Sequence, residues 1–312
     1  MTGAMKEERV PELPERVHNW IRQSVSPDAA IHSAERLQGS TSSTLHAVKL
    51  RLNGTVQEVV VRQYDNAKWL EEEPDVPHHE ADSLRWANRA GLPAPQLLAF
   101  DPTGAECGMP ALLMSRQPGS VWLLPADMEA WVHGLAEMSA RIHRTPTDGF
   151  PWTYYTYQDP ATIGRQTWSR CPDVWDAAMR YAAGTRPQPP ERFLHRDYHP
   201  GNVLWTDGRV SGVVDWPSAC IGPAGVDVGH CRVNLVELFG VETADAYLRA
   251  YEHFAGPSFQ YDPYWDIDAL VNILYGEPQV YPGWAPFGVT GLTDSLLRAR
   301  LDDYVCSLMA RI

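Results

Sequence analysis

Between Phe193 and Trp216 the chain sets out a short strand, a loop and a tight hairpin carrying polar residues at fixed spacing, which leaves few ways to fold it. It runs Phe193-Leu194-His195-Arg196-Asp197-Tyr198-His199-Pro200-Gly201-Asn202-Val203-Leu204-Trp205, and Val210-Ser211-Gly212-Val213-Val214 then leads as a strand into Asp215. Pro200 presets its own torsion and Gly201 tolerates torsions other residues avoid, so the pair suits a turn that folds Asn202 back beside Asp197. Any one of these residues alone would pass for a turn or cap residue; the ordered set is the signal. A hydroxyl that attacks a phosphate needs a carboxylate to orient it and take its proton, and Asp197 fits that need. Phosphate charge needs a divalent ion, and Asn202 and Asp215 offer a neutral and an anionic oxygen ligand for Mg2+. His195 reads as a brace for the loop rather than a reacting group.

The segment resembles the catalytic signature of the aminoglycoside phosphotransferase and choline kinase-like families, which share the protein kinase fold. Those families write His-x-Asp-x-x-x-x-Asn, often with His-Pro-Gly before the Asn, and follow it with Asp-Trp, as in Asp215-Trp216 here. A further family feature, an Asp within a Gly-Pro-x-x-x-Asp run, is matched by Ile221-Gly222-Pro223-Ala224-Gly225-Val226-Asp227, which implies that Asp227 supports the loop. The resemblance implies an α+β, bilobal protein kinase-like fold. A strand-rich, nucleotide-binding lobe would span residues 1–115, and a mostly helical lobe with the catalytic and acceptor-binding residues would span 116–312, with the cleft between them. It also implies transfer of the γ-phosphate of ATP or GTP to a substrate hydroxyl, directly and without a phosphoenzyme.

The remaining parts are then sought upstream. The polar run Gln38-Gly39-Ser40-Thr41-Ser42-Ser43-Thr44 precedes the alternating Leu45 to Leu52, which reads as a strand ending in the Asn53-Gly54 hairpin signal. Gly39, Ser40, Thr41 and Ser42 would cover the phosphates, although a single glycine falls short of the Gly-x-Gly-x-x-Gly pattern. Val59-Val60-Val61-Arg62 stands where protein kinases put Val-Ala-Ile-Lys, so Arg62 replaces the phosphate-binding lysine, and a guanidinium can serve by two parallel hydrogen bonds. Glu80, at the start of a helix that Gly91 and Pro93 terminate, is its ion-pair candidate. Ala111 to Met114 reads as a buried strand, with the interlobe hinge and the nucleotide base expected around Met114 to Arg116. The backbone carries the same groups at every residue, so ATP and GTP are not separated by sequence.

The chain has 312 residues, enough for two lobes, and no apolar run approaches the length of a membrane span. The N-terminus lacks a secretory apolar core and the five scattered cysteines show no Cys-x-x-Cys pair, so a cytoplasmic protein with reduced thiols is expected. A formal net charge of −13 disfavours nucleic acid and anionic membranes as partners and favours a cationic small-molecule acceptor, as aminoglycosides are. Asp262, Trp265, Asp266 and Asp268, with Asp302 and Asp303, are the candidates to line its pocket; the competing reading is a helix start whose acids cap free amides. The stripe Trp131, Leu135, Met138 and Ile142 within Met128 to His143 marks a core-facing helix with no chemistry. Two other classes stay open: a metal-dependent hydrolase using His195, Asp197, His199 and Asp215, with His230 the one downstream histidine placed to help, and a nucleotide-binding scaffold without turnover.

Overall fold

The computed structural model describes residues 13–37 and 42–312. Gly39, Ser40 and Thr41, expected over the phosphates, lie outside the described residues, and only Ser42 of that set lies within them. The chain divides into two compact units, Met1–Ala81 with Gln96–Arg116, and Asp82–Pro95 with Gln117–Ile312. The expected boundary after residue 115 compares with a division after Arg116 and an exchange of the segment Asp82–Pro95 into the second unit.

In the first unit α1 (Glu15–Val25) precedes β1 (Ala30–Arg36), β2 (Thr44–Leu52) and β3 (Thr55–Gln63). Then come α2 (Ala67–Glu72), α3 (Val76–Arg89, whose later turns belong to the second unit), β4 (Leu97–Asp101) and β5 (Ala111–Ser115). The five strands form one antiparallel sheet in the order β1-β2-β3-β5-β4. Asn53 and Gly54 join β2 to β3 at φ of 49° and 79°, a two-residue turn with both centres left-handed, whose twist matches that of the strands. Alternation puts Val48, Leu50, Val59 and Val61 on one face, where they pack with Val17, Trp20 and Ile21 of α1. Those three residues sit at i, i+3 and i+4, so α1 has a helical signal of its own. Helix α3 starts four residues before Glu80, which places Glu80 in its second turn.

The second unit continues with β6 (Ser120–Val121), α4 (Met128–His143), α5 (Pro172–Ala182), β7 (Glu191–Leu194), β8 (Val203–Thr206), β9 (Arg209–Val213) and β10 (Cys220–Pro223). It ends in α6 (Gly225–Phe239), α7 (Val241–Ala255), α8 (Tyr264–Ile273) and α9 (Asp294–Met309). Strand β7 pairs antiparallel with β10, and β8 lies between β6 and β9 in a second small sheet. Helix α6 packs against α7, α8 and α9 and is buried along most of its length, which is why its apolar residues show no single stripe. Its glycines set how close α8 comes: a Cβ on Gly225 would meet the Trp265 ring at 2.3 Å, and one on Gly229 the Trp265 carbonyl oxygen at 2.5 Å. Trp131, Trp175 and Trp216 are fully buried, each contributing on the order of 3 kcal/mol of transfer free energy. No helix among the described residues is long and apolar enough to cross a membrane.

Candidate active site

The chain leaves β7 at Leu194 and turns sharply. Two successive amides, of His195 and Arg196, donate to the Asp227 carboxylate at 2.8 and 2.7 Å, and His143 Nε2 donates to the same group at 3.0 Å. Tyr251 Oη lies 2.7 Å from His143 Nδ1, a hydrogen bond that fixes the ring with Nε2 toward Asp227. Burial alone would raise the Asp227 pKa, but the His143 hydrogen bond and charge and the loop amides outweigh it and hold the carboxyl below its ordinary range. His195 donates Nε2–H to the Val214 carbonyl at 3.0 Å, and its burial lowers its pKa, so it stays neutral and ties the loop to the residue before Asp215. Arg196 is forced to φ of 75°, a conformation costing about 1 kcal/mol or more for a residue with a Cβ.

Asp197 follows. Asn202 Nδ2 donates both to its carbonyl (2.9 Å) and to its Oδ2 (3.0 Å), closing the loop over the short helical turn Pro200–Asn202. A Cβ on Gly201 would stand 2.8 Å from the His199 ring, so a larger residue there would force that ring to move. The amide of Val214 donates to the Asn202 carbonyl at 2.9 Å, and Asp215 comes next at φ of 68°. Asp197, Asn202 and Asp215 are thereby brought together by a loop and a hairpin that bond to each other. Because the Asn202 amide nitrogen is spent on Asp197, its side-chain oxygen is the atom left for a cation, and it and the Asp215 carboxylate are the hard oxygen donors that could hold Mg2+.

His230 on α6 donates Nε2–H to Asp197 Oδ1 at 3.0 Å, and His199 Nε2 lies 3.8 Å from Oδ2. Burial would raise the Asp197 pKa, but His199 and His230 outweigh it and hold the carboxyl well below the usual carboxylate range. Burial pushes His199 down to about 4, so it is neutral near pH 7. Asp197, His199 and His230 offer ligand atoms within 4.8 Å of one another, a span a transition metal could bridge. The tautomer opposes it. His199 Nδ1 accepts the Gly201 amide at 3.2 Å, which leaves the proton of the neutral ring on Nε2, the nitrogen facing Asp197. His195 spends Nε2 on Val214 and is not part of that cluster.

In the first unit Arg62 sits on β3, opposite Leu45 and Leu112. Its Nη1 bonds Glu80 Oε1 at 2.9 Å, its Nε donates to Ser43 Oγ at 2.8 Å, and the Tyr64 hydroxyl donates to Glu80 Oε2. The Arg62 side chain is only 2% exposed, so it acts first as the buried half of an ion pair between sheet and helix. Met114 lies within β5, and the Ser115 and Arg116 amides donate to the Gln96 and Glu58 carbonyls at 2.9 and 3.2 Å. Those two donors are committed inside the sheet and are not offered to a nucleotide base, and the Arg116 guanidinium holds Glu58 at 2.7 Å.

The acceptor side requires correction. Asp262 caps α8 by accepting the Tyr264 amide at 2.9 Å, Trp265 packs against Leu194, Cys220 and Val226, and neither lines the space beside Asp197. Asp266 is 1% exposed and takes hydrogen bonds from Arg232, Tyr261 and Tyr304, so it neutralises a buried guanidinium instead of meeting a substrate. Asp302 takes Ser169, the Arg170 amide and Trp175 at 2.5 to 2.9 Å, which makes it a brace between α9 and the start of α5. The space beside Asp197 is a cavity of about 230 Å³ lined by Tyr157, Arg196, His230, Asp268 and Asn272, among others. Of these, only Asp268 belonged to the candidate set. The aromatic run Trp152-Thr153-Tyr154-Tyr155-Thr156-Tyr157 was the signal available in the sequence.

The model of the phosphotransferase enzyme family matches residues 39–264. An aminoglycoside 3'-phosphotransferase of Streptomyces fradiae is 28% identical over 203 residues, covering 55% of this chain and 71% of the relative. A solved structure from Ralstonia eutropha JMP134, provisionally assigned as an aminoglycoside phosphotransferase, superposes with a TM-score of 0.62 at 17% identity, over 94% of this chain and 96% of the other. Aminoglycoside phosphotransferase APH(3'')-Id from Streptomyces rimosus, solved with ADP and streptomycin, gives a TM-score of 0.54 at 15% identity, over 82% of this chain and 98% of the other. At these identities the solved structures establish the shared kinase-like fold.

Proposed function

The chain belongs to the phosphotransferase enzyme family, and from that premise we propose that it is a small-molecule kinase, transferring the γ-phosphate of a nucleoside triphosphate to a hydroxyl of a small acceptor. The observation that carries the reading is the Asn202 amide 3.0 Å from the Asp197 carboxylate, on a turn whose carbonyl holds the strand end before Asp215. In this reading Asp197 accepts a hydrogen bond from the acceptor hydroxyl and takes its proton as the new phosphate ester forms. A carboxylate held ionised by two histidines is a weak base, which suits a loose phosphoryl-transfer transition state in which positioning matters more than early proton removal. Asn202 and Asp215 are the residues that would hold Mg2+, whose contribution is to neutralise phosphate charge. Arg62, fixed by Glu80 and Ser43, is the first unit's cation for the nucleotide phosphates, and ATP is the donor to try first, since a relative with the same fold was solved with ADP.

For the acceptor, the net charge of −13 favours a molecule carrying a cationic group, and aminoglycosides head the candidates because a Streptomyces fradiae relative is named for acting on one. The test is nucleotide consumption with amino sugars, amino alcohols, macrolides and basic peptides, with mass spectrometry for a phosphate added to the acceptor. Phosphate on an acceptor hydroxyl is the expected result. Tight nucleotide binding with no transfer to any acceptor would turn the reading to a scaffold.

A further inference from the structure

The cavity beside Asp197 contains a charge that the proposed reaction does not use. The Arg196 guanidinium carbon sits 4.2 Å from the ring centre of Tyr154, 4.5 Å from that of Tyr157 and 5.8 Å from that of Tyr155. Arg196 is 9% exposed and contributes to the lining of the cavity next to Asp197, and its Nη1, itself sealed from solvent, has no hydrogen-bond partner among the described residues. Aromatic faces stabilise a cation but take none of its N–H hydrogen bonds, and a desolvated guanidinium without an oxygen partner is costly. Among the described residues lining the cavity, Asp268 is the one carboxylate besides Asp197. Asp268 attracts Arg196 through its charge, but its Oδ2 accepts from Tyr154 Oη at 2.8 Å and Asn272 Nδ2 at 3.2 Å, and no hydrogen bond joins it to the guanidinium. Arg196 stands at φ of 75°, a conformation that costs a residue with a Cβ about 1 kcal/mol or more.

Resting on the kinase reading above, we propose that the acceptor carries a carboxylate close to the hydroxyl that is phosphorylated, and that Arg196 binds that carboxylate. Arg196 is then a specificity-determining residue. A guanidinium offers paired N–H groups in the geometry a carboxylate matches, and the ring faces of Tyr154 and Tyr157 hold it in place by cation–π attraction. The inference concerns one group of the acceptor and is compatible with a cationic group elsewhere on it. A molecule whose only charges are ammonium groups meets a like charge at this point of the cavity.

The experiment uses the full chain with Mg2+ and ATP, and matched pairs of hydroxylated compounds that differ only in bearing a carboxylate or its primary carboxamide. Hydroxylated amino acids and amino-sugar acids with their amides serve as probes. A charge-assisted hydrogen bond of about 1.5–3 kcal/mol corresponds to a preference for the acid of about 10- to 150-fold in kcat/KM, expressed chiefly in KM. Arg196→Met should erase that preference while still turning over the amide, and Arg196→Lys should retain part of it. The amide is the internal control for folding of each variant. Equal turnover of acid and amide, or an unchanged ratio in Arg196→Met, overturns the proposal. Phosphorylation of aminoglycosides with neither member of any pair accepted overturns it too and leaves the kinase reading standing, whereas no nucleotide binding and no transfer to any compound overturns both.

Discussion

On the proposed kinase reading Asp197 and Asp215 have different tasks, and their substitution effects separate. Asp197→Asn keeps the shape and the Asn202 contact while removing the proton acceptor, so turnover should fall by roughly 10²- to 10⁴-fold with nucleotide affinity little changed. Single-turnover kinetics beside a nucleotide titration decides it, and unchanged turnover would remove Asp197 from its role. Asp215→Asn should weaken nucleotide binding in Mg2+ as well, because it takes away the anionic oxygen proposed to hold the ion. Asp266 behaves as a different kind of acid. Its loss leaves Arg232 buried with Tyr261 and Asp245 but without its nearest carboxylate, so Asp266→Ala should cost about 3–5 kcal/mol in urea unfolding. The loop from His195 to Asn202 was legible because Asn202 closes on Asp197 five residues away and Pro-Gly turn chemistry is local, whereas its support from His230 is not. The acceptor side was not, and Asp266 and Asp268 show why. Two residues apart on a helix they point about 200° away from each other, so one neutralises Arg232 while the other lines the cavity, and nothing local says which.

At the scale of elements, the catalytic loop is hung from helices. Asp227 in the first turn of α6 takes the His195 and Arg196 amides, and His230 one turn further on reaches Asp197, so the placement of α6 sets both. Helix α8, which brings Asp268 and Asn272 to the cavity, comes close because Gly225 and Gly229 have no side chains. A methyl at Gly229 would stand 2.5 Å from a backbone oxygen, which cannot rotate aside. Gly229→Ala should therefore cost about 1–3 kcal/mol despite its better helix propensity, and should raise the acceptor KM more than the nucleotide KM. A stability gain in the denaturant midpoint would refute the close approach. Strands β2, β3 and β5 and helix α4 were readable from periodicity and turn residues. Helix α6 was not, because a helix buried on several sides shows no stripe, and its glycines mark a contact that only the tertiary structure reveals.

At the scale of the whole molecule, an acidic chain with a formal net charge of −13 gains stability on mild acidification as its self-repulsion falls, and one buried group adds to that trend. Burial raises the Glu237 carboxyl on α6 to about 7, with His230 only partly offsetting it. The unfolded chain releases this proton near the ordinary glutamate value of about 4.5, whereas the folded chain keeps it to about 7. Between those values the native state binds more protons than the unfolded one, so the contribution is fully present below about 4.5 and is lost as pH rises through about 7. The shift corresponds to at most about 3 kcal/mol, and partial solvent access reduces it to about 1–2. Urea unfolding at pH 5.5 and pH 8.5 should accordingly show the larger stability at the lower pH. Glu237→Gln, isosteric and never charged, should remove about 1–2 kcal/mol of that difference, mainly by stabilising the protein at pH 8.5. The residual slope in the variant then measures the distributed charge repulsion alone, and an identical slope in both proteins would show that Glu237 titrates as an ordinary surface carboxylate.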